Sequence, residues 1–345
     1  MNLPWRNALI TGVGGQDGAL LAAHLLERGV AVTGTHRPGR AFDDWRLREL
    51  GIAAHAQLRL VELDPANAAG CTELIAHRKP DAVFHLAGQS RVAESFRDPR
   101  GSLEANGTST LNLLEALRAH APQARFVLAS SAEIFGAPER APQDEATPLA
   151  ARTPYGVSKL LAHATVGAWR ASYALHASSA ILFNHESILR DEAFVTRKIS
   201  RAVARIARGL DSAIALGNLD ARRDFGHAPD FVAAMAAMAA RGEASDYVLA
   251  TGHAASIRDF ATAAFAAIGI ALDWRGEGVD EIGVERGNDV VRVRVDPAFF
   301  RPFDAPLLVG DAGKARRELG FAPTLDLAAL ARTMVEADLA RDRAA

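Results

Sequence analysis

Short apolar runs alternate with amphipathic segments through the first half of the chain. The runs Asn7–Thr11, Val30–Gly34, Leu58–Leu63, Ala82–Ala87, Arg125–Ser130 and Ser178–Phe183 carry few charges, as strands covered on both faces of a parallel sheet require. Between them, Leu20–Glu27, Leu103–Ala119 and Ser158–Ala174 repeat apolar positions every three or four residues, the period of a helix with one buried face. Strand and helix in alternation predict an α/β fold with a doubly wound parallel sheet. The pattern changes after Phe183. From Asn184 to His227 the chain is rich in Arg, Lys, Asp and His and poor in regular runs. Beyond it, Ser256 with Asp259 three residues later predicts a helix start, a weaker form of the capping box. A turn is expected at Arg275–Gly278 and an alternating strand at Val291–Val295. A terminal helix is expected from about Leu327, with Asp326 as its N-cap. The division that follows is a parallel-sheet domain of residues 1–183 plus about 226–254, and a smaller mixed domain of 184–225 and 255–340.

Composition narrows the class. Of the 345 residues 49% are hydrophobic and 23% charged, enough to bury a large core and too apolar for disorder. A formal net charge of −2 gives no general attraction for nucleic acid or anionic membranes, so neither is an expected partner. The single cysteine, Cys71, excludes an internal disulfide and a multi-cysteine metal site, and no metal is expected. The first strand-like run starts too early for a signal peptide. The apolar stretch Phe231–Ala240 is only ten residues long, short of a bilayer span. The expectation is a cytoplasmic protein.

Two features add chemistry. The first strand runs into Thr11-Gly12-Val13-Gly14-Gly15-Gln16-Asp17-Gly18, and a helical pattern follows. Glycines spaced at 12, 15 and 18 allow a tight turn and close backbone approach, so the loop and the helix N-terminus can hold a pyrophosphate. At the end of the second strand an NAD site usually offers a carboxylate to the ribose hydroxyls. Here the chain reads Thr35-His36-Arg37, with Arg40 close behind. No acid is present and a cation is available for a 2′-phosphate, so the predicted cofactor is NADP, with Arg37 as the phosphate contact.

The second feature follows the fifth strand. Tyr155-Gly156-Val157-Ser158-Lys159 is a YxxxK pair, and residues four apart on a helix share a face. A free tyrosine has a pKa of about 10. The neighbouring ammonium favours the phenolate, so Tyr155 can take a proton from a hydroxyl while hydride leaves the same carbon. The strand end itself reads Ser130-Ser131-Ala132-Glu133. Ser131 suits a hydrogen bond to the reacting hydroxyl. Oxidation or epimerisation at one carbon needs only a Tyr, a Lys and a hydroxyl. The added carboxylate of Glu133 permits proton abstraction beside a new ketone, and hence loss of water.

These motifs, together with Ile181–Ser187, Phe194–Lys198, Gly217–His227, Gly276–Val284 and Val293–Pro302, resemble the extended short-chain dehydrogenase/reductases. More narrowly, the chain resembles the GDP-mannose 4,6-dehydratase family, from Ala8 to about Leu339. The resemblance implies a Rossmann-type sheet with a C-terminal substrate-binding domain, and it implies that the enzyme is a hydro-lyase using NADP. It places Ser131, Glu133, Tyr155 and Lys159 in catalysis. Gly12, Gly15, Gln16, Asp17, Gly18, Arg37, Glu62, Leu63, Leu86, Ala87, Gly88, Ser90, Tyr155, Lys159, His185 and Arg190 become cofactor contacts. Ser90, Asn184, Val195, Lys198, Gly217, Arg223 and Arg301 become contacts to a GDP-sugar, a task for which the fixed donor fork of arginine suits phosphate. The family also implies a homo-oligomer, a dimer at least, with a tetramer as the alternative.

Some positions depart from the family pattern. Ser187 is followed by Ile188-Leu189-Arg190-Asp191, where Pro, a basic pair and Gly are usual. Gly88 replaces an Ala and Gly101 a Tyr. Pro38 stands where a second Arg usually helps build a tetramer around the cofactor phosphate. The run after Ser187 fits a sub-branch that includes dehydratases of GDP-manno-heptose, so mannose and heptose both remain open as the sugar. Other outcomes on the same scaffold are a GDP-4-keto-6-deoxymannose reductase, a C4 epimerase, and a non-catalytic NADP-binding regulator. The last of these typically loses the Tyr, Lys or hydroxyl that this chain keeps.

Overall fold

A computed structural model describes residues 3–39, 41–300 and 307–341. The chain forms two compact units. The first comprises Met1–Phe183, Ala228–Leu249 and Gly310–Ala322, and the second Asn184–His227, Ala250–Val309 and Pro323–Ala345.

In the first unit the strands β1 (Asn7–Thr11), β2 (Ala31–His36), β3 (Leu58–Glu62), β4 (Ala82–His85), β5 (Arg125–Ala129) and β6 (Ala177–Leu182) form before residue 183. A further strand, Tyr247–Leu249, completes a seven-stranded sheet in the order β3, β2, β1, β4, β5, β6, Tyr247–Leu249. Every neighbouring pair is parallel. The order reverses between β1 and β4, and such a switch point opens a crevice at the carboxyl ends of the strands. Leu9, Val83, Phe126 and Leu128 from the strands pack with Leu113, Leu117, Ala162 and Val166 from the helices into one buried cluster, each large apolar side chain stabilising by about 1.5–3 kcal/mol.

The expected strands all appear, within a residue or two of the expected ends. The Tyr247–Leu249 strand was not foreseen, because three residues are too few to carry a period. The expected helix Leu103–Ala119 is broken. Pro99–Leu103 is α-helical, Glu104–Thr108 makes a π-helical turn, and Ser109–His120 resumes the α-helix. A π turn inserts an extra residue without altering composition, so a periodicity of three and four does not show it. The Gly310–Ala322 segment, expected in the smaller domain, packs with the parallel sheet: Lys314 donates to Asp246 O at 2.8 Å, and Phe321 meets Phe231 edge-on.

The second unit has its own core. Ile199 and Val203 from the helix Val195–Ala207, Phe260 and Phe265 from Ile257–Ala266, and Met334 and Val335 from Leu327–Arg341 are buried together. The capping box at Ser256 is complete: Ser256 Oγ accepts from Asp259 N at 3.0 Å, and Ser256 N donates to Asp259 Oδ2 at 2.9 Å. Asp326 caps the terminal helix by accepting from Ala329 N at 2.8 Å.

Candidate active site

The glycine loop lies at the switch point of the first unit. Gly12 adopts φ +76°, and a Cβ there would lie 2.8 Å from Ala87 Cα. Its N–H donates to Thr35 O at 3.1 Å. Gly15 is the N-cap residue of the helix Gln16–Leu26 and supplies no side-chain cap, and a helix N-terminus is a favourable place for an anion. A Cβ on Gly18 would come within 2.3 Å of Gly12 O, so the helix can pack on the loop only with glycine there. Gln16 is buried and donates to Asp17 Oδ1 at 3.0 Å. Arg37 is exposed at the end of β2, and Glu62, which pairs with His36, is exposed at the end of β3. Leu63 is buried and donates its N–H to His36 O at 2.9 Å. Sequence reasoning missed Arg46, whose guanidinium donates to Gly14 O at 3.0 Å. It lies outside every motif, and only the tertiary fold brings it to the loop.

The catalytic candidates come together at the carboxyl end of β5. Ser131 lies two residues past the strand and caps the single turn Ala132–Phe135 by accepting from Glu133 N at 3.2 Å. Glu133 is half-buried on that turn. The helix Pro154–Tyr173 starts beside it, with Thr153 as N-cap and Pro154 at the first helical position, where a missing N–H costs nothing. A Cβ on Gly156 would lie 2.7 Å from Glu133 O, so this glycine lets the Glu133 turn close on the helix that carries Tyr155. Tyr155 is 8% exposed, and its N–H donates to Ser95 Oγ at 3.0 Å. Lys159 lies 6.0 Å from the centre of the Tyr155 ring and donates to Ala129 O at 2.9 Å. Burial pushes the Lys159 pKa down to about 8, and Asp17 acts in the opposite direction.

Beneath the crevice, the segment after β4 is held by buried polar groups. Thr11 Oγ1 accepts from Leu86 N and Ala87 N, both at 3.2 Å. Gly88 and Ser90 are exposed. The Oδ1 of Asn106 and the Oε1 of Gln89 are buried without a hydrogen-bond partner in the protein, and a Cβ on Gly88 would lie 2.2 Å from that Asn106 oxygen. Buried acceptors are rarely left unpaired, which sets these two oxygens apart from the rest of the segment.

The residues foreseen in the second unit form their own polar groups. Asn184 and His185 pair with Phe225 and Gly226 across parallel strands, which sets them beside the strand holding Arg223. Arg223 is buried and donates to Arg222 O at 2.7 Å. Val195 opens the helix Val195–Ala207. Lys198, one turn on, donates to Ala215 O at 2.8 Å and stands 3.5 Å from the Phe299 ring centre. A Cβ on Gly217 would meet Phe299 O at 2.7 Å, so Lys198 and Gly217 meet at Phe299. Arg190 is paired inside the unit with the buried Glu186 at 2.9 Å and lies 3.6 Å from the Phe194 ring centre. Arg301 lies outside the described residues. Among the described residues no group of His, Cys, Asp or Glu could hold a metal ion.

Comparison with known proteins identifies the family. The family model described as GDP-mannose 4,6 dehydratase matches residues 9–334. The chain belongs to the GDP-mannose 4,6-dehydratase family. It is 42% identical over 337 residues to a GDP-mannose 4,6-dehydratase of Sinorhizobium fredii, covering 96% of each chain. It is 44% identical over 339 residues to GDP-mannose 4,6-dehydratase sdnI of Sordaria araneosa, and there it spans 61% of the relative's length. Among solved structures, RMD from Pseudomonas aeruginosa complexed with NADPH superposes with a TM-score of 0.76 at 25% identity, over 97% of this chain and 99% of that one. A UDP-glucose-4-epimerase from Stenotrophomonas maltophila with bound NAD gives 0.81 at 24% identity, over 99% of this chain and 100% of that one, a likeness of fold alone. A chain of this dehydratase family uses a nicotinamide dinucleotide. No helix among its described residues is long and apolar enough to cross a membrane.

Proposed function

We propose that this chain is a cytoplasmic GDP-mannose 4,6-dehydratase that converts GDP-mannose into GDP-4-keto-6-deoxymannose with NADP as its resident cofactor. The observation that carries the reading is the placing of the Ser131–Glu133 turn against Gly156, beside Tyr155 and Lys159. That arrangement supplies a base for a hydroxyl and a second acid/base for the neighbouring carbon. NADP rather than NAD is supported by the exposed Arg37 and by the lack of a carboxylate at the end of β2.

A nicotinamide bound at the glycine loop would supply the hydride acceptor for C4 of the sugar and the hydride donor for C6. Tyr155 removes the proton from O4, and the Lys159 ammonium lowers the cost of the phenolate. Ser131 Oγ already accepts from Glu133 N, so its own proton is available to donate to O4. Once C4 is a ketone, the C5 hydrogen is acidic. Glu133 takes that proton and passes it to the C6 hydroxyl, which leaves as water, and C5 is finally reprotonated by the proton that Tyr155 took from O4. Lys198 and Arg223, with Arg301, are the cations proposed to hold the GDP diphosphate. His185 and Arg190 are proposed as further dinucleotide contacts, and Gln16, Asp17, Glu62, Leu63 and Leu86–Ser90 line its expected path.

Glu133→Gln is expected to stop water loss while cofactor reduction remains visible in a single turnover. Tyr155→Phe is expected to abolish even that reduction. A Glu133→Gln enzyme that still releases water, or a Tyr155→Phe enzyme that still reduces the cofactor, overturns the corresponding role. A GDP-manno-heptose is the second reading, favoured by Ile188-Leu189 after Ser187, with Leu189 fully buried.

The chain is also proposed to pair with a second copy. Leu103, Leu111, Val157 and Leu161 stay exposed on two helical segments that lie together where Leu161 abuts Gly107. Light scattering that finds only monomer at micromolar concentration would exclude the pairing.

A further inference from the structure

A buried chain of hydrogen bonds runs from the glycine loop to the catalytic helix. Thr11 Oγ1 accepts two backbone N–H groups from Leu86 and Ala87, so its own proton goes to His85 Nδ1, 2.8 Å away. That contact leaves the proton of the neutral imidazole on Nε2, which donates to Ser109 Oγ at 3.0 Å. Ser109 in turn donates to Ala105 O at 2.7 Å and lies 3.2 Å from Asn106 O, inside the π-helical turn. From the same turn the Asn106 amide donates to Gln89 O at 3.0 Å and to Ser158 Oγ at 2.8 Å. Ser158 Oγ donates to Tyr155 O at 2.7 Å. Each side-chain donor along the path meets an acceptor.

Burial is complete along this route: Thr11, His85, Ser109, Asn106 and Ser158 are each at most 2% exposed. Low polarity strengthens such bonds and makes each broken one costly. The imidazole stays neutral because burial, with Lys159 adding to it, pushes its pKa down to about 3. Neutral, the ring can accept from Thr11 at Nδ1 and donate from Nε2 to Ser109 at the same time. The π turn is what turns Asn106 inward, and such turns recur at functional sites.

We propose that His85 is a positioning residue, which with Thr11, Ser109, Asn106 and Ser158 fixes the glycine loop relative to Tyr155, so that seating of the dinucleotide and alignment of the base are coupled. The inference rests on Tyr155 being the base, as proposed above.

The test is a double-mutant cycle on Thr11→Val and Ser158→Ala in the full chain, both close in size to the native residues. Among the described residues no hydrogen bond joins these two side chains directly. The readouts are the dissociation constant for NADP+ and the rate of cofactor reduction in a single turnover with GDP-mannose at saturating NADP+. Each single change is expected to slow reduction, and Ser158→Ala is expected to weaken NADP+ binding although it sits on the Tyr155 helix. The double variant is expected to fall short of the product of the two singles by about threefold or more, as for residues sharing one hydrogen-bond network. Effects that multiply within twofold in both readouts overturn the coupling. His85→Phe, which removes both ring bonds at once, should approach the double variant, and a variant as fast as wild type would also overturn it. Tyr155→Phe run alongside separates the two claims. If it still reduces cofactor, the base assignment fails, and the cycle on NADP+ affinity still decides the coupling.

Discussion

Lys159 carries a charge where the fold would be more stable without one. Its side chain is 8% exposed and its ammonium has Ala129 O at 2.9 Å. Burial lowers its pKa from an ordinary 10.5 to about 8, a gap that at about 1.4 kcal/mol per unit costs the folded state about 3 kcal/mol. Below pH 8 the lysine is charged in both states and the whole cost applies. Between about 8 and 10.5 the folded state releases its proton while the unfolded state keeps it, so stability contributed by this group rises with pH. Above that window both states are neutral and the cost is gone. Lys159→Met keeps an unbranched side chain, removes the charge and gives up a hydrogen bond with a net value of about 1 kcal/mol. The variant should therefore be catalytically dead and, at pH 7, about 2 kcal/mol more stable than the parent. Its advantage should shrink from pH 8 upward and reverse by about 1 kcal/mol near pH 10.5. Urea unfolding of the cofactor-free proteins at a series of pH values, followed by tryptophan fluorescence, gives the difference directly. A gap independent of pH, or a variant destabilised at pH 7, would refute the reasoning and show that the ammonium is compensated in the fold.

Two further outcomes follow from the dinucleotide loop. Gly18→Ala puts a methyl 2.3 Å from Gly12 O, so it should cost about 1–3 kcal/mol of stability and weaken NADP+ binding by more than about tenfold, as each factor of ten needs only about 1.4 kcal/mol; titration calorimetry showing unchanged affinity would contradict the packing argument. Arg37→Glu should reduce NADP+ affinity by about 10- to 100-fold, the value of a hydrogen bond to a charged group, and leave NAD+ affinity within about threefold. An unchanged ratio of the two dissociation constants would remove Arg37 from cofactor selection.

The parallel sheet was legible because most of its strands are buried on both faces and declare themselves as runs with few charges. β1, for example, is read to the residue. The placing of the proposed catalytic pair was legible because its spacing has a direct geometric meaning: four residues bring Lys159 onto the Tyr155 face of one helix, whereas the bond from Glu133 N to Ser131 Oγ came only with the fold. What escaped depends on packing between distant segments. Nothing near residue 46 announces a guanidinium on the glycine loop, and nothing in Glu104–Thr108 announces a π turn that directs Asn106 inward. The Arg190 ion pair with Glu186 was likewise hidden, since an arginine alone does not reveal whether its partner lies within the protein or on a ligand.

The most direct test of the account is mass spectrometry of the sugar nucleotide after the purified protein is incubated with GDP-mannose and a catalytic amount of NADP+. The account predicts a product lighter by one water with no accumulation of NADPH. Unchanged GDP-mannose, or NADPH formed in step with product, would contradict it; in the first case the same assay with GDP-manno-heptose shows whether the chemistry is intact on a longer sugar.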